Sequence, residues 1–360
     1  EAAPNYLTFT AQEDDSSVTL NYASGADVKI STNGGKSWNS YTKGTEITLT
    51  NAGDKVSFKG TNVTTWADSN NTPKHFTMTG KIAASGSVTS LTDGVGSDPN
   101  VTLQEACYAY MFEGCTALTE APELPAMEIP KSAYKEMFRG CTALTTAPTL
   151  PATNLKDWCY NYMFYNCTSL TTAPTLPAEA LANNCYYAMF GECTSLTAAP
   201  KLPATKIPES AYALMFYKCT SLTAAPELSA TEIGALGYYE MFAGCTSLTA
   251  APKLPATEIG ASSYYEMFYG CKGLTTVPEL PATTLAANCY NGMFKDCTNL
   301  SISTTNDAQH TKEWIINATG STPANGWNTN MFADCRNVDF GSGSKAPSRI
   351  ESVASTLCHP

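Results

Sequence analysis

Tyr108-Ala109-Tyr110-Met111-Phe112-Glu113-Gly114-Cys115-Thr116-Ala117-Leu118 is the stretch on which the fold turns, because its frame of Tyr, Met-Phe, Cys and Leu returns at a constant interval. The Met-Phe pair stands at Met111, Met137, Met163, Met189, Met215, Met241, Met267 and Met293, each 26 residues after the last, and once more at Met331 after an interruption. A fixed period of this length means stacked coils, each burying its apolar face only against its neighbours.

Within one unit, Tyr is followed by Met three residues on, Phe at four and Cys at seven, the spacing of one helix face. The residue before each Tyr is small (Cys107, Ala133, Cys159, Cys185, Ala211, Gly237, Ser263, Cys289), as suits a position pressed against the next coil. The two residues after each Tyr vary freely and are expected to face solvent. Pro130 and Pro208, with Ser132 and Ser210 behind them, read as helix starts, and Gly114, Gly140, Gly244 and Gly270 as stops. Such a helix has about two turns and needs its neighbours to be stable.

The other half of the unit reads Leu118-Thr119-Glu120-Ala121-Pro122-Glu123-Leu124-Pro125-Ala126. Proline donates no ladder hydrogen bond, so two prolines this close leave room for a strand of a few residues, stacked in parallel with its counterparts. The expected fold is an α/β solenoid, a leucine-rich-repeat-like right-handed stack of 26-residue coils, preceded by a small all-β sandwich. The expected division is a sandwich over residues 1–75, a cap over 76–106, the solenoid over 107–340 with an interrupted last repeat, and a tail over 341–360.

The sandwich is read from short alternating runs at Tyr6-Leu7-Thr8-Phe9, Val18-Thr19-Leu20, Val28-Lys29-Ile30, Ile47-Thr48-Leu49 and Val56-Ser57-Phe58, parted by turn residues. Ser31-Thr32-Asn33-Gly34-Gly35-Lys36-Ser37-Trp38 resembles the Asp-box turn of sialidases and other β-proteins, with Asn33 where that motif has Asp, and predicts a hairpin turn that returns Trp38 to the core. Two further strands, at residues 76–79 and 87–91, are placed to cover the apolar end of the first coil. The period breaks between Met293 and Met331 for 12 extra residues that include Trp314-Ile315-Ile316, which reads as a lengthened coil or loop ending the stack.

The chain of 360 residues carries a formal charge of -11, and residues 107–300 hold 10 Lys or Arg against 16 Asp or Glu. No basic face is left for nucleic acid or an anionic membrane. No apolar run is long enough to cross a bilayer, and Glu1-Ala2-Ala3-Pro4 has none of the features of a signal peptide, which points to a mature or trimmed chain. Of the 14 cysteines, nine fall at the Met-Phe-x-x-Cys place, four at the small place before Tyr, and Cys358 outside. The interchange of Cys with Ala, Ser and Gly in the small column predicts buried free thiols, with Cys107 and Cys115 and their equivalents as the pairs to check.

The unit Met-Phe-x-x-Cys-Thr-Ser-Leu-Thr-x-x-Pro-x-Leu-Pro-Ala, found from Met241 to Ala256, resembles the leucine-rich repeats of bacterial cell-surface proteins of the BspA-like type. The likeness covers about residues 76–340. It implies export to the cell surface or secretion, often on a lipid anchor, and adhesion or binding to host proteins or polymeric ligands such as an extracellular protein or glycan. The sandwich is then a spacer or accessory module.

Chemistry is sparse. His75, His310 and His359 stand in different regions with no partner at ligand spacing, so neither a metal site nor a cofactor is expected. The recurrent Cys lacks a recurrent His to activate it. Glu136, Glu240 and Glu266 share one column, which reads as a solvated face rather than an acid and base pair. The chain is therefore read as no enzyme; a spacer displaying another module and a glycan-active enzyme are the alternatives.

Two candidate contact strips remain. The residue between the prolines runs Glu123, Thr149, Thr175, Lys201, Glu227, Lys253, Glu279, and the last four alternate in sign, as in a self-neutralising ladder or a ligand surface. Tyr165, Tyr217 and Tyr269, one in every second coil, form an exposed aromatic strip.

Overall fold

A computed structural model describes residues 3–21, 27–61, 76–98, 101–303, 326–335 and 337–339. The chain forms two compact units, residues 1–177 and 178–360.

The first unit opens with the sandwich. Strands β1 (Leu7–Ala11), β2 (Ser16–Leu20), β3 (Asp27–Ser31), β4 (Asn39–Ser40), β5 (Glu46–Leu49), β6 (Lys55–Thr61), β7 (Phe76–Thr79) and β8 (Ile82–Ser85) are followed by the one-turn helix α1 (Ser90–Asp93) and by β9 (Leu118–Glu120). One sheet runs β4-β3-β6-β1-β8-β9 and the other β5-β2-β7. Burial alternates along β1, as the sequence predicts for a half-covered strand. On β6 three consecutive residues, Val56 to Phe58, are buried, because α1 covers its other side: the Ser90 hydroxyl donates to the Phe58 carbonyl at 3.0 Å and accepts from the Leu7 N–H. Residues 87–91 thus enter a turn and helix α1 rather than a strand. Trp38 stops half-buried, with its ring edge-on to Tyr6 at 4.7 Å and under the Lys59 ammonium at 4.4 Å, not in the core. The expected turn is present: Asn33 Oδ1 accepts from the Ser37 N–H and from the Ser31 hydroxyl.

The sandwich is also the lid of the first coil. Phe76 stacks on Phe112 at 5.3 Å, the spacing at which Phe112 stacks on Phe138. The Phe76 N–H donates to the Met111 carbonyl, and the Cys115 thiol donates to the Phe76 carbonyl. Strand β8 then pairs in parallel with β9, Ile82 opposite Leu118. Phe76 therefore does for the first coil what the preceding coil's Phe does for every later one.

The expected two-turn helix is absent. Across residues 106–115 the backbone is a chain of tight turns in which alternate N–H groups have different destinations. Those of Cys107, Ala109, Met111, Glu113 and Cys115 bond back three residues, to Gln104, Ala106, Tyr108, Tyr110 and Phe112. Those of Ala106, Tyr108, Tyr110, Phe112 and Gly114 bond forward to Lys131, Ala133, Lys135, Met137 and Arg139 of the next coil at 2.8–2.9 Å. An α-helix would keep every one of these bonds inside the segment, four residues back. Each turn requires a left-handed residue, and these recur every fourth position, at Ala106 (φ 53), Tyr110 (φ 63) and Gly114 (φ 70) in the first coil. Ser132 and Ser210 are left-handed too (φ 57 and 54), so they are not helix caps, and Gly114 is one link of the ribbon rather than its stop.

Because the ribbon bonds to its neighbours along its length, the positions after Tyr do not face solvent: Ala109, Glu136, Asn161, Ala188 and Ala213 are buried and Tyr162 and Leu214 half-buried. The columns expected inside are inside. Tyr134, Phe138 and Leu144 are fully buried, and Tyr108 stacks on Tyr134 at 6.0 Å.

The proline side pairs less than expected. In the first unit it shows single parallel bridges, Glu120 to Thr146 and Thr146 to Thr172. A two-residue ladder forms after the prolines, between β10 (Glu128–Ile129) and β11 (Asn154–Leu155), where N–H donors are again available.

The second unit repeats this anatomy. Its ribbon donors run from Tyr212 to Gly237, Phe216 to Met241 and Phe242 to Met267, and its post-proline ladder joins β12 (Lys206–Ile207), β13 (Glu232–Ile233) and β14 (Glu258–Ile259) in parallel. The interrupted last repeat returns to register: Tyr290, Gly292, Phe294 and Asp296 donate to Trp327, Thr329, Met331 and Ala333, and Phe332 stacks on Phe294 at 5.3 Å. Strand β15 (Ser301–Ser303) pairs in parallel with β16 (Asn337–Asp339). Trp314, Ile315, Ile316 and the tail over 341–360 lie outside the described residues.

All 13 described cysteines are free and buried, and Cys358 lies outside the described residues. Burial pushes the Cys107 thiol up to about 11 and those of Cys289 and Cys335 up to about 12. The Met-Phe-x-x-Cys column holds nothing but Cys, and the geometry supplies a reason: thiols of this column donate to the carbonyl of the Phe one coil back, as Cys141 does to Phe112 at 3.0 Å and Cys271 to Phe242 at 3.1 Å.

Candidate binding surfaces

The charged column belongs to the second unit. Lys201, Glu227, Lys253 and Glu279 are all exposed. Each precedes an inward Leu (Leu202, Leu228, Leu254, Leu280), and alternation along an extended backbone turns one side chain in and the next out. A proline precedes each of them and a second follows two residues after Lys201, Lys253 and Glu279, with Ser229 in that place after Glu227, and these prolines restrict the backbone that presents the column. Lys253 and Glu279 together line an open groove of about 640 Å³ with Pro252, Pro255, Pro278 and Pro281.

The self-neutralising ladder does not form at this column. Among the described residues Lys201, Glu227 and Lys253 make no ion pair within 4.0 Å, since full hydration of exposed charges competes with a weak attraction across coils. Ion pairs between coils of the second unit form elsewhere, Lys206 to Glu232 at 2.8 Å on the post-proline ladder and Lys218 to Glu192 and Lys272 to Asp296 at 3.6 Å. In the first unit the equivalent Glu123 is already engaged, accepting from the Asn5 amide at 2.7 Å.

The tyrosine strip is less open than its sequence suggests, and each ring lies near a cation. Tyr165 is half-buried, edge-on to Tyr162 at 5.2 Å, with the Arg139 guanidinium 5.8 Å from both rings. Tyr217 is half-buried with the Lys218 ammonium 4.8 Å away, and only Tyr269, at 37% exposed, is open, with Lys295 at 5.2 Å.

The carboxylate column divides. Glu136 is buried in the first unit and answered by Arg139 at 2.7 Å and Lys135 at 3.6 Å. Glu240 and Glu266 are half-buried in adjacent coils of the second unit, beside Tyr239 and Tyr265, whose rings stack at 5.0 Å. Burial raises the Glu266 carboxyl, repulsion from Glu240 adds to it, and Lys295 opposes both. The Tyr265 phenol is raised by burial and by the same two carboxylates. Sequence reading passed over the tyrosine pair, although Tyr-Tyr-Glu-Met-Phe occurs identically at Tyr238 and at Tyr264.

Among the described residues no group of three or more His, Cys, Asp or Glu is placed to hold a metal ion, and no helix is long and apolar enough to cross a membrane. The three histidines lie outside the described residues.

The family model for the BspA type leucine rich repeat region, six copies of the repeat, matches residues 103–223 and 205–339. No curated protein and no solved structure matches the chain.

Proposed function

This chain belongs to the BspA-type leucine-rich repeat family, and from that premise we propose that it is a non-enzymatic protein, at the cell surface or secreted, whose second unit binds an extracellular protein ligand through the column Lys201, Glu227, Lys253 and Glu279. The observation that carries the reading is a row of alternating charges, each exposed directly after a proline, with Lys201, Glu227 and Lys253 unpaired. A backbone already restricted by proline loses little conformational entropy on binding, and alternating signs select register in a partner. Tyr269 beside Lys295 is the second contact element, with Tyr165 and Tyr217 weaker because their rings are half-buried.

The test is surface plasmon resonance of the full chain over immobilised extracellular-matrix proteins and polysaccharides. Lys201→Glu with Lys253→Glu is expected to weaken the captured protein at least tenfold, about 1.4 kcal/mol. Replacing Tyr165, Tyr217 and Tyr269 by Ala is expected to weaken it less. A ligand indifferent to both sets removes these surfaces from consideration, and a panel without any ligand favours the spacer.

A further inference from the structure

A second groove in the same unit shares no residue with the charged column. It follows the ladder of β12, β13 and β14, has a volume of about 680 Å³, and is floored by Ile207, Ile233 and Ile259. Its rim carries Glu179, Glu232 and Glu258 against one cation, Lys206. Ile207 and Ile233 are almost wholly buried and Ile259 half-buried, so the floor is a narrow aliphatic strip, and no aromatic side chain lines it. That disfavours a sugar, which needs a flat π face to stack on, and suits the aliphatic side chains of a polypeptide.

Lys206 shows what this rim attracts. Its ammonium sits 2.8 Å from Glu232, and Glu258 stands one coil further along in the same register. Three carboxylates against one ammonium leave two negative charges, and among the described residues neither Glu179 nor Glu258 makes an ion pair. Carboxylates one coil apart repeat at about 5 Å, and same-side residues of an extended strand at about 7 Å, within the reach of long Lys or Arg side chains. A second copy of this chain, at net charge -11, is a poor occupant of an acidic groove.

We propose that this groove is a docking site for an extended basic polypeptide segment in which aliphatic residues alternate with Lys or Arg. The site stands whether or not the charged column binds its own ligand.

Fluorescence anisotropy of the full chain with a labelled ten-residue peptide of alternating Leu and Lys tests it at low salt. Binding is expected, with a Leu-Glu peptide of the same length silent. Glu179→Gln with Glu258→Gln is expected to weaken binding at least about fivefold, ~1 kcal/mol. Ala180→Trp, which fills the groove from an exposed position, is expected to abolish it. Glu105→Gln with Glu120→Gln removes the same charge from exposed positions of the first unit, outside both surfaces, and is expected to change binding less than about twofold. Equal weakening by the two Gln pairs would reduce the effect to general attraction by an acidic chain and overturn the site. So would binding of the Leu-Glu peptide, no binding at all, or sedimentation showing that wild type is a dimer that Ala180→Trp disperses.

Discussion

The sandwich and the turn ribbon lie side by side in the first unit and bury the same kinds of side chain, yet they satisfy their backbones differently. In the sandwich β1 pairs with β6 from Leu7 opposite Phe58 to Thr10 opposite Lys55, so each strand depends on partners distant in sequence. In the ribbon half of the N–H groups stay within three residues and half go to the coil 25 residues on. A sheet strand removed leaves two neighbours with open edges. A coil removed lets its two neighbours meet, because every coil offers the same donors and acceptors.

The largest test of this contrast is deletion against substitution. Removing residues 205–230 is expected to leave a cooperative transition with Tm within about 5 °C of wild type, whereas deleting β1 is expected to abolish the folded sandwich. Phe190→Asp buries an unpaired charge in a column where Phe190 stacks on Phe216 at 5.7 Å, and is expected to cost at least ~4 kcal/mol. If thermal unfolding of that variant matches wild type, the column is not buried and the contrast fails.

A smaller effect separates the two cysteine columns. Cys271→Ala removes a donor to Phe242 at 3.1 Å, while in Cys289→Ala the corresponding contact, to Trp327, is already long at 3.9 Å. Chemical denaturation is expected to show Cys271→Ala the more costly by about 1 kcal/mol.

The ribbon geometry is tested by sign. In a helix Ala106→Gly would destabilise by about 1 kcal/mol; in a left-handed residue with φ 53 it is expected to be neutral or stabilising by a similar amount. Gly114→Ala meets nothing within 4 Å, so its expected loss of about 1 kcal/mol is strain alone. A denaturation midpoint lowered by Ala106→Gly would restore the helix, since Gly114→Ala is costly in either reading.

The smallest effect is electrostatic. The folded Glu266 carboxyl is raised, so the folded state carries a penalty wherever this group is ionised in the unfolded chain. That penalty is absent below the unfolded carboxylate range and complete above the folded one, so it grows as pH rises. Glu266→Gln is expected to raise Tm slightly at pH 7 and not at all in acid, by well under about 1 kcal/mol after solvent screening.

Much of this was legible beforehand. The invariant Tyr, Phe and Leu columns announced the core, and the run at Phe76 announced the cover for the first coil, because burial shows in residue type. The helix was the misreading, since spacings of three, four and seven mark which residues share a face and are silent about where the N–H groups go. One signal was available: Gly114, Gly140, Asn166, Gly244, Gly270 and Asp296 share a column and are residues that tolerate left-handed backbone, a requirement for a turn and not for the middle of a helix. The charged column was legible as exposed positions; the tyrosine strip was not, because Tyr165 and Tyr217 settle half-buried beside Arg139 and Lys218. The groove above the isoleucine ladder was not, because Glu179, Glu232 and Glu258 are brought together only by stacking.

By itself the sequence determined the coil length, the inward columns, the alternating strands of the sandwich and the membership of a repeat family, all of which follow from local pattern and the cost of exposing apolar surface. Tertiary structure alone decided whether a ribbon or a helix carries those columns, which thiols donate to which carbonyls, and which carboxylates are left unpaired around a groove. Those outcomes depend on the next coil arriving at hydrogen-bonding distance, and no segment of this chain contains its own neighbour.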